Sequence, residues 1–246
     1  PGRGAFIYSV KNGHCGPVVG EVRILLAGDT HGNLRWIRDY LYPKAMLLKA
    51  DLILQLGDFG FWEHTPGGIL FLDEVDAVAQ RTGIPLWALR GNHDNTELLM
   101  RLYGAHATPN NPIQVRRNVM CLPDGVTWEC HGRRMRVFGG AYSTDKAWRL
   151  EKERKYERSA QHREAARRAA GETPQQVPSH AKTLWFPDEE MTDMQFDGLM
   201  ADYSGPVDIV FSHDKPRGSN PGMALKDEPN CLPNQDRLQR ALTTHQ

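Results

Sequence analysis

Three times in the first part of the chain, an apolar run stops at a glycine turn and residues able to hold a metal ion follow at once. Val22-Arg-Ile-Leu-Leu-Ala27 runs into Gly28-Asp-Thr-His-Gly32, and Asp51-Leu-Ile-Leu-Gln-Leu56 runs into Gly57-Asp-Phe-Gly60. Pro85-Leu-Trp-Ala-Leu89 runs into Arg90-Gly-Asn-His-Asp94. Short apolar runs bounded by glycine read as buried strands. Helical patterns lie between them: Leu34, Ile37 and Leu41 after Asn33, a helix cap, and Leu72, Val75 and Ala79 within residues 69–81. Alternating strands and helices predict an α/β fold with parallel pairing in this half. Parallel neighbours put their trailing loops at one edge, where open α/β sheets carry their sites. Asp29, His31, Asp58, Asn92 and His93 should therefore converge.

The residue types fit a metal centre. Asp29 and His31 can chelate one ion while Thr30 points away. Asp58 has two carboxylate oxygens and can bridge two ions. Asn92 offers a neutral oxygen, and His93 can exchange a proton near neutral pH. Carboxylate, imidazole and amide ligands together suit manganese, iron, zinc or magnesium rather than a soft thiolate metal. Asp94, next in line, is placed to orient the His93 imidazole. Each unit alone is weak evidence, since a glycine turn can simply end a strand; the repetition carries the reading. In Arg90-Gly-Asn-His-Asp94 we expect Gly91 to take a backbone conformation that a Cβ would forbid.

In this order, Asp29-x-His31, Gly57-Asp58 and Gly91-Asn-His-Asp94 resemble the first three motif blocks of the calcineurin-like metallophosphoesterases. Ser212-His213, after Val207-Asp-Ile-Val-Phe211, resembles the fourth. The resemblance runs from about Val22 to the chain end. It implies two packed mixed β-sheets flanked by helices, a four-layer sandwich, with residues 21–246 as the domain. It also implies two divalent metal ions, manganese first, with iron, zinc, magnesium or nickel as alternatives. Asp29 and His31 would bind one ion, Asp58 would bridge, and Asn92 and His213 would bind the other. A hydroxide shared by the two ions would attack phosphorus. His93 would stay unligated and protonate the leaving group, with Asp94 holding its ring. The family's fifth block, Gly-His-x-His, is not found in the sequence. We expect the sequence to stop short of it; His245 near the end is a poor substitute.

Composition excludes some classes. Thirty basic residues balance thirty acidic ones, which removes any whole-chain electrostatic case for nucleic acid or an anionic membrane. No apolar run approaches the roughly 20 residues needed to span a bilayer. The start, Pro1-Gly-Arg-Gly, has no signal-peptide pattern. Cys15, Cys121, Cys130 and Cys231 lack zinc-knuckle or redox spacing. Free thiols in a reducing cytoplasm are expected, although a Cys121–Cys130 bridge would form if neighbouring strands set them opposite.

Residues 1–20 read as an irregular arm with an edge strand at 5–10. Pro43 should kink or break the first helix. Strands are expected at 113–115, 119–122 and 126–130, then a half-exposed hairpin to 134–138 forming a second sheet. Gly139-Gly-Ala-Tyr-Ser143 is either a crowded crossing or a loop leading to the site. A helix with Asp188-Glu-Glu190 in its first turn should feed the strand at 207–211, and residues 236–242 read as a short helix. Within residues 146–170, nine Lys or Arg face four Glu. Glu151 with Lys155 and Glu164 with Arg168 mark a solvated helix. This stretch, with a Pro-limited linker to residue 178, reads as a charged insertion. The alternative is a basic flap that meets the phosphates of a long substrate. His64 is singled out beyond the blocks because its loop adjoins Asp58.

The expected activity is hydrolysis of a phosphomonoester or phosphodiester, with small esters such as cyclic nucleotides first and a nuclease of the same chemistry second. A non-catalytic binding module of the same fold is a third reading. The missing fifth block favours it, and His93 counts against it. The expected partner is a phosphate-ester substrate, nucleotide or nucleic acid, with no membrane.

Overall fold

A computed structural model describes residues 22–104, 112–173, 184–202, 205–219 and 229–244. The expected N-terminal arm, Cys15, His106, His180, His245 and the linker beyond residue 173 lie outside these residues. The described elements run in the order β1 (Ile24–Ala27), α1 (Leu34–Trp36), a π-helical turn (Ile37–Leu41), α2 (Tyr42–Leu47), β2 (Leu52–Gln55), α3 (Pro66–Thr82) and β3 (Leu86–Leu89). They continue with α4 (Thr96–Tyr103), β4 (Ile113–Gln114), β5 (Val119–Leu122), β6 (Thr127–Cys130), β7 (Arg133–Phe138) and α5 (Lys146–Ala169). The chain closes with α6 (Asp193–Ala201), β8 (Ile209–Ser212) and α7 (Leu232–Thr244).

The first sheet has the order β1-β2-β3-β5-β4, parallel except for the β4–β5 pair. The second has the order β6-β7-β8, with β6 antiparallel and β8 parallel to β7. Alternation along each strand sorts side chains into layers. Ile53, Leu86 and Ala88 face a helical layer through Ile37, Tyr42, Leu72, Val75 and Leu99. Leu54, Trp87 and Leu89 face the second sheet through Val126, Trp128, Met135 and Val137. Outside the second sheet, Phe138 meets Phe196, Leu238 and Ala241 from the last two helices. Helices, sheet, sheet and helices form the expected four layers. Because β2 and β3 are covered on both faces, they read as apolar runs, broken only by Gln55 at the end of β2.

Several local expectations change. Pro43 does not break its helix. The preceding turn widens so that the Tyr42 N–H bonds the Ile37 carbonyl, and the missing Pro43 donor is absorbed. The helix expected after Pro187 begins later, at Asp193, because Thr192 and Gln195 form a reciprocal capping box. Glu189 is instead buried against Trp185. The C-terminal helix is longer than residues 236–242. Arg136, on the supposedly half-exposed hairpin, is 1% exposed; it donates to the Leu199 carbonyl at 2.6 Å. Cys121 and Cys130 lie in different sheets and are not bridged to each other. No helix among the described residues is long and apolar enough to cross a membrane.

Trp128 ties the two sheets together. Its ring meets Trp87 edge-on at 5.9 Å between centroids and stacks on Phe211 at 6.1 Å. Trp128→Ala should therefore lower stability by about 3–5 kcal/mol. Chemical denaturation would show this as a lower midpoint, and an unchanged midpoint would refute the role.

Candidate metal centre and active site

The loops after β1, β2 and β3 leave one sheet edge together. Gln55, fully buried at the end of β2, donates to the Gly28 and Gly57 carbonyls and accepts from the Gly57 N–H. It thus fixes the first two loops against each other. The Asp58 carbonyl accepts from the N–H groups of Thr30 at 3.2 Å and His31 at 2.7 Å. Thr30 turns inward and donates its hydroxyl to the Phe59 carbonyl, leaving Asp29 and His31 facing out.

Asp58 sits at the centre and is 3% exposed. Its Oδ1 accepts the His93 backbone N–H at 2.8 Å and lies 3.5 Å from His213 Nε2. Its Oδ2 lies 3.7 Å from the ring nitrogens of both His31 and His93. Ligand atoms of Asp29, His31 and Asp58 lie within 4.8 Å of one another. Gly91 is needed for a reason other than the one its sequence suggested. Its φ is not positive, but a Cβ there would strike Asp58. A Cβ on Gly57, which does have positive φ, would strike the His213 ring.

His213 comes from the other sheet, directly after β8. Its Nδ1 is 2.7 Å from the Leu56 carbonyl, so the proton sits on Nδ1 and the Nε2 lone pair faces inward. That lone pair lies 2.9 Å from Asn92 Oδ1. The Asn92 amide nitrogen is held by Ser143 Oγ at 2.7 Å, which turns the amide oxygen toward His213. Two acceptors and the Asp58 carboxylate thus point at one space with no donor between them. Such an arrangement is repulsive unless a cation or a proton sits there. The donor set fits two divalent ions, one beside Asp29 and His31 and one beside Asn92 and His213, with Asp58 between.

Asp94 enters the site differently from the sequence expectation. Its carboxylate does not hold the His93 ring. It accepts from four backbone N–H groups: Phe59 at 3.2 Å, Gly60 at 2.8 Å, Phe61 at 3.0 Å and Gly91 at 2.8 Å. The turn at residues 91–94 sends adjacent side chains in different directions. The His93 ring projects to the cavity while Asp94 folds back under the loops.

Instead, the His93 ring is held from a distant part of the chain. Its Nε2 accepts from Arg149 Nη2 at 3.2 Å and lies 3.2 Å from the Asn92 amide nitrogen. Arg149 lies in the first turn of α5. Its Nε donates to both Asp145 oxygens at 2.8 Å, and its Nη1 donates to the Leu184 carbonyl at 2.9 Å. Glu153 accepts from the N–H groups of Leu184 and Trp185. The helix buries no residue, and the Glu151–Lys155 and Glu164–Arg168 pairs form as expected. Sequence reasoning missed the fastening of its first turns to the site wall. The i,i+4 pairing of Asp145 with Arg149 was the available signal, but the contact partners lie far away in sequence. The same holds for Ser143 and Gln55.

A cavity of about 290 Å³ opens over His31 and His93, with Trp62, His64, Phe186 and Arg149 on its walls. Trp62 is fixed by its ring N–H donating to the His93 carbonyl at 2.6 Å, and the His64 ring meets Phe186 edge-on at 6.0 Å.

The family model of the calcineurin-like phosphoesterases matches residues 22–234. The chain belongs to the calcineurin-like phosphoesterase family. A search of curated proteins finds no match. The family depends on a dinuclear metal centre and hydrolyses phosphoesters, and this chain brings a candidate site of Asp29, His31 and Asp58 to that chemistry.

Burial is the main reason that the Asp58 carboxyl is raised to about 6, opposed by the nearby His213 and His31 rings. Below about pH 6 a proton therefore occupies Asp58, and a cation must displace it. Manganese affinity should fall by at least about tenfold per pH unit below that point. Calorimetric titration would show it, and a flat affinity from pH 5 to 7 would refute the assignment of Asp58 as a ligand. Asp94→Ala should cost at least about 3 kcal/mol, because several buried N–H groups lose their acceptor. It should also abolish metal binding. Retained metal affinity would show that Asp94 does not hold the loops.

Proposed function

We propose that this protein is a metal-dependent phosphoesterase in which Asp29, His31 and Asp58 hold one divalent ion and Asp58, Asn92 and His213 hold a second. The facing lone pairs of His213 Nε2 and Asn92 Oδ1, 2.9 Å apart beside the Asp58 carboxylate, carry this reading. Mixed oxygen and nitrogen donors favour manganese, with iron, zinc, magnesium and nickel as alternatives. When bound, such ions neutralise phosphoryl charge and lower the pKa of water.

The chain's own residues do the rest. Arg149, at the cavity wall, offers a guanidinium to a phosphoryl oxygen in charge-assisted hydrogen bonds. Water adds to phosphorus and gives up a proton to solvent, the bond to the leaving oxygen breaks, and His93 supplies the proton that the leaving alkoxide needs. Without substrate His93 is neutral: burial first, and then the Arg149 charge, push its imidazolium down to about 4. A phosphoryl group that draws Arg149 away removes the larger opposing charge and adds a negative one, and both changes favour the protonated ring. The cavity's size suits one phosphoester and the organic group attached to it, such as a single nucleotide unit. No disulfide joins Cys121, Cys130 or Cys231 among the described residues, which fits a reducing, cytoplasmic setting. A non-catalytic module gives no account of a ring placed by Arg149 over the cavity.

Turnover of an aryl phosphodiester with added manganese tests the reading. His93→Ala should keep its metal yet lose turnover by roughly 10²–10⁴. The loss should shrink when the leaving group is as acidic as nitrophenolate, and equal losses for good and poor leaving groups would remove the acid role. Asp58→Ala should lose metal and activity together, and full metal occupancy in that variant would contradict the bridge.

A further inference from the structure

The long helix that delivers Arg149 has two unlike sides. Its protein-facing side carries Glu153, which binds the Leu184 and Trp185 N–H groups, and Lys146, which lies 4.1 Å from the Trp185 ring centroid. Glu157 and Glu164 recur from Glu153 at helical spacing and share that side. The other side carries Trp148, Lys152, Lys155, Tyr156, Ser159 and Arg163, spaced three, four, seven or eight residues apart with no carboxylate among them. Glu151, at its edge, is neutralised by Arg154, Lys155 and Arg158 at 3.5, 4.0 and 3.1 Å. Trp148 is 58% exposed and Tyr156 38%, and the Lys152 ammonium lies 4.6 Å and 5.9 Å from their ring centroids. Large aromatic rings interleaved with cations are an odd surface for a helix that only needs solvation. Lys152 keeps both rings accompanied by positive charge, which repels other cations and invites an anion that also has flat faces.

We propose that this face of α5 is a docking track for single-stranded nucleic acid, which stacks bases on Trp148 and Tyr156 and sets its phosphates on Lys152, Lys155 and Arg163. Aromatic platforms interleaved with basic side chains are the recurrent means of holding single strands. Trp148 immediately precedes Arg149, which touches His93, so the track starts at the same helical turn that forms the site wall. The cavity of about 290 Å³ admits one nucleotide unit and excludes a duplex. A lipid surface is the poorer fit, because between Trp148 and Arg163 this face has no aliphatic residue to bury in acyl chains. The proposal rests on the phosphoesterase reading only for what happens to the strand, and not for the binding itself.

The test separates the two. Binding of a fluorescent oligothymidylate of about 12 nucleotides, within the size range that single-strand sites cover, is measured by anisotropy with the full chain in EDTA. Turnover of bis(4-nitrophenyl) phosphate is measured separately with manganese. The wild type should bind the oligonucleotide, and its affinity should fall with salt with a slope near −0.7 per phosphate contact. Trp148→Ala with Tyr156→Ala should weaken binding by about tenfold or more. Lys155→Glu with Arg163→Glu should weaken it further and flatten the slope. These exposed positions should leave circular dichroism and aryl-ester turnover unchanged. An oligonucleotide that fails to bind, or binds equally to the variants, overturns the track, whatever the turnover. Anionic phosphatidylserine vesicles that bind through the same residues in place of the oligonucleotide also overturn it. Binding that depends on these residues supports the track even if the aryl ester is not turned over, a result that would count against the phosphoesterase reading alone.

Discussion

Four backbone N–H groups converge on the Asp94 carboxylate, and the rest of the site depends on that knot. It joins the loop after β2 to the loop after β3. With the loops joined, the His93 N–H reaches Asp58, and Gly91 packs so close that no larger residue fits. Asp58 adopts a φ of +52°, a conformation that costs a non-glycine residue energy and persists only under firm constraint. The second sheet then adds His213, anchored through the Leu56 carbonyl. A carboxylate placed in this way is buried before any cation arrives, so its charge is only partly offset by the His93 N–H and the neighbouring imidazoles, and binding a cation relieves it.

Much of this was legible in the chain. Apolar runs that end in glycine are local signals, and they located β1, β2 and β3 along with Asp29, His31, Asp58, Asn92 and His93. The strand leading to His213 was also legible, although it starts at Ile209 rather than Val207. What stayed hidden depends on contacts between distant segments or on the direction of one side chain. Asp94 follows His93 in sequence, which suggested a partner for its ring, but the turn sends the carboxylate under the loops. Ser143 and Gln55 orient the site from other elements. Arg149 was counted among the charges of a solvated helix, and only the packing of residues 184–189 against α5 brings it to His93. Thr192 outcompeted Pro187 and its acidic neighbours as a helix start because its hydroxyl and Gln195 satisfy each other's backbone groups.

The charged helix therefore has two jobs in this account, divided by side. One side closes the cavity wall and restrains the base form of His93. The other stays in water with rings and cations in register. Neither job needs a buried residue, which explains why a helix of such length can carry no apolar stripe and still keep a defined position through its first turns.

The central claim is that Asp58 lies between two cations. Anomalous scattering from crystals soaked in manganese tests this most directly. The account predicts two peaks about 3.5–4 Å apart, one beside Asp29 and His31 and one beside Asn92 and His213, with an Asp58 oxygen in contact with both. A single peak, or two peaks that Asp58 does not touch together, would contradict it.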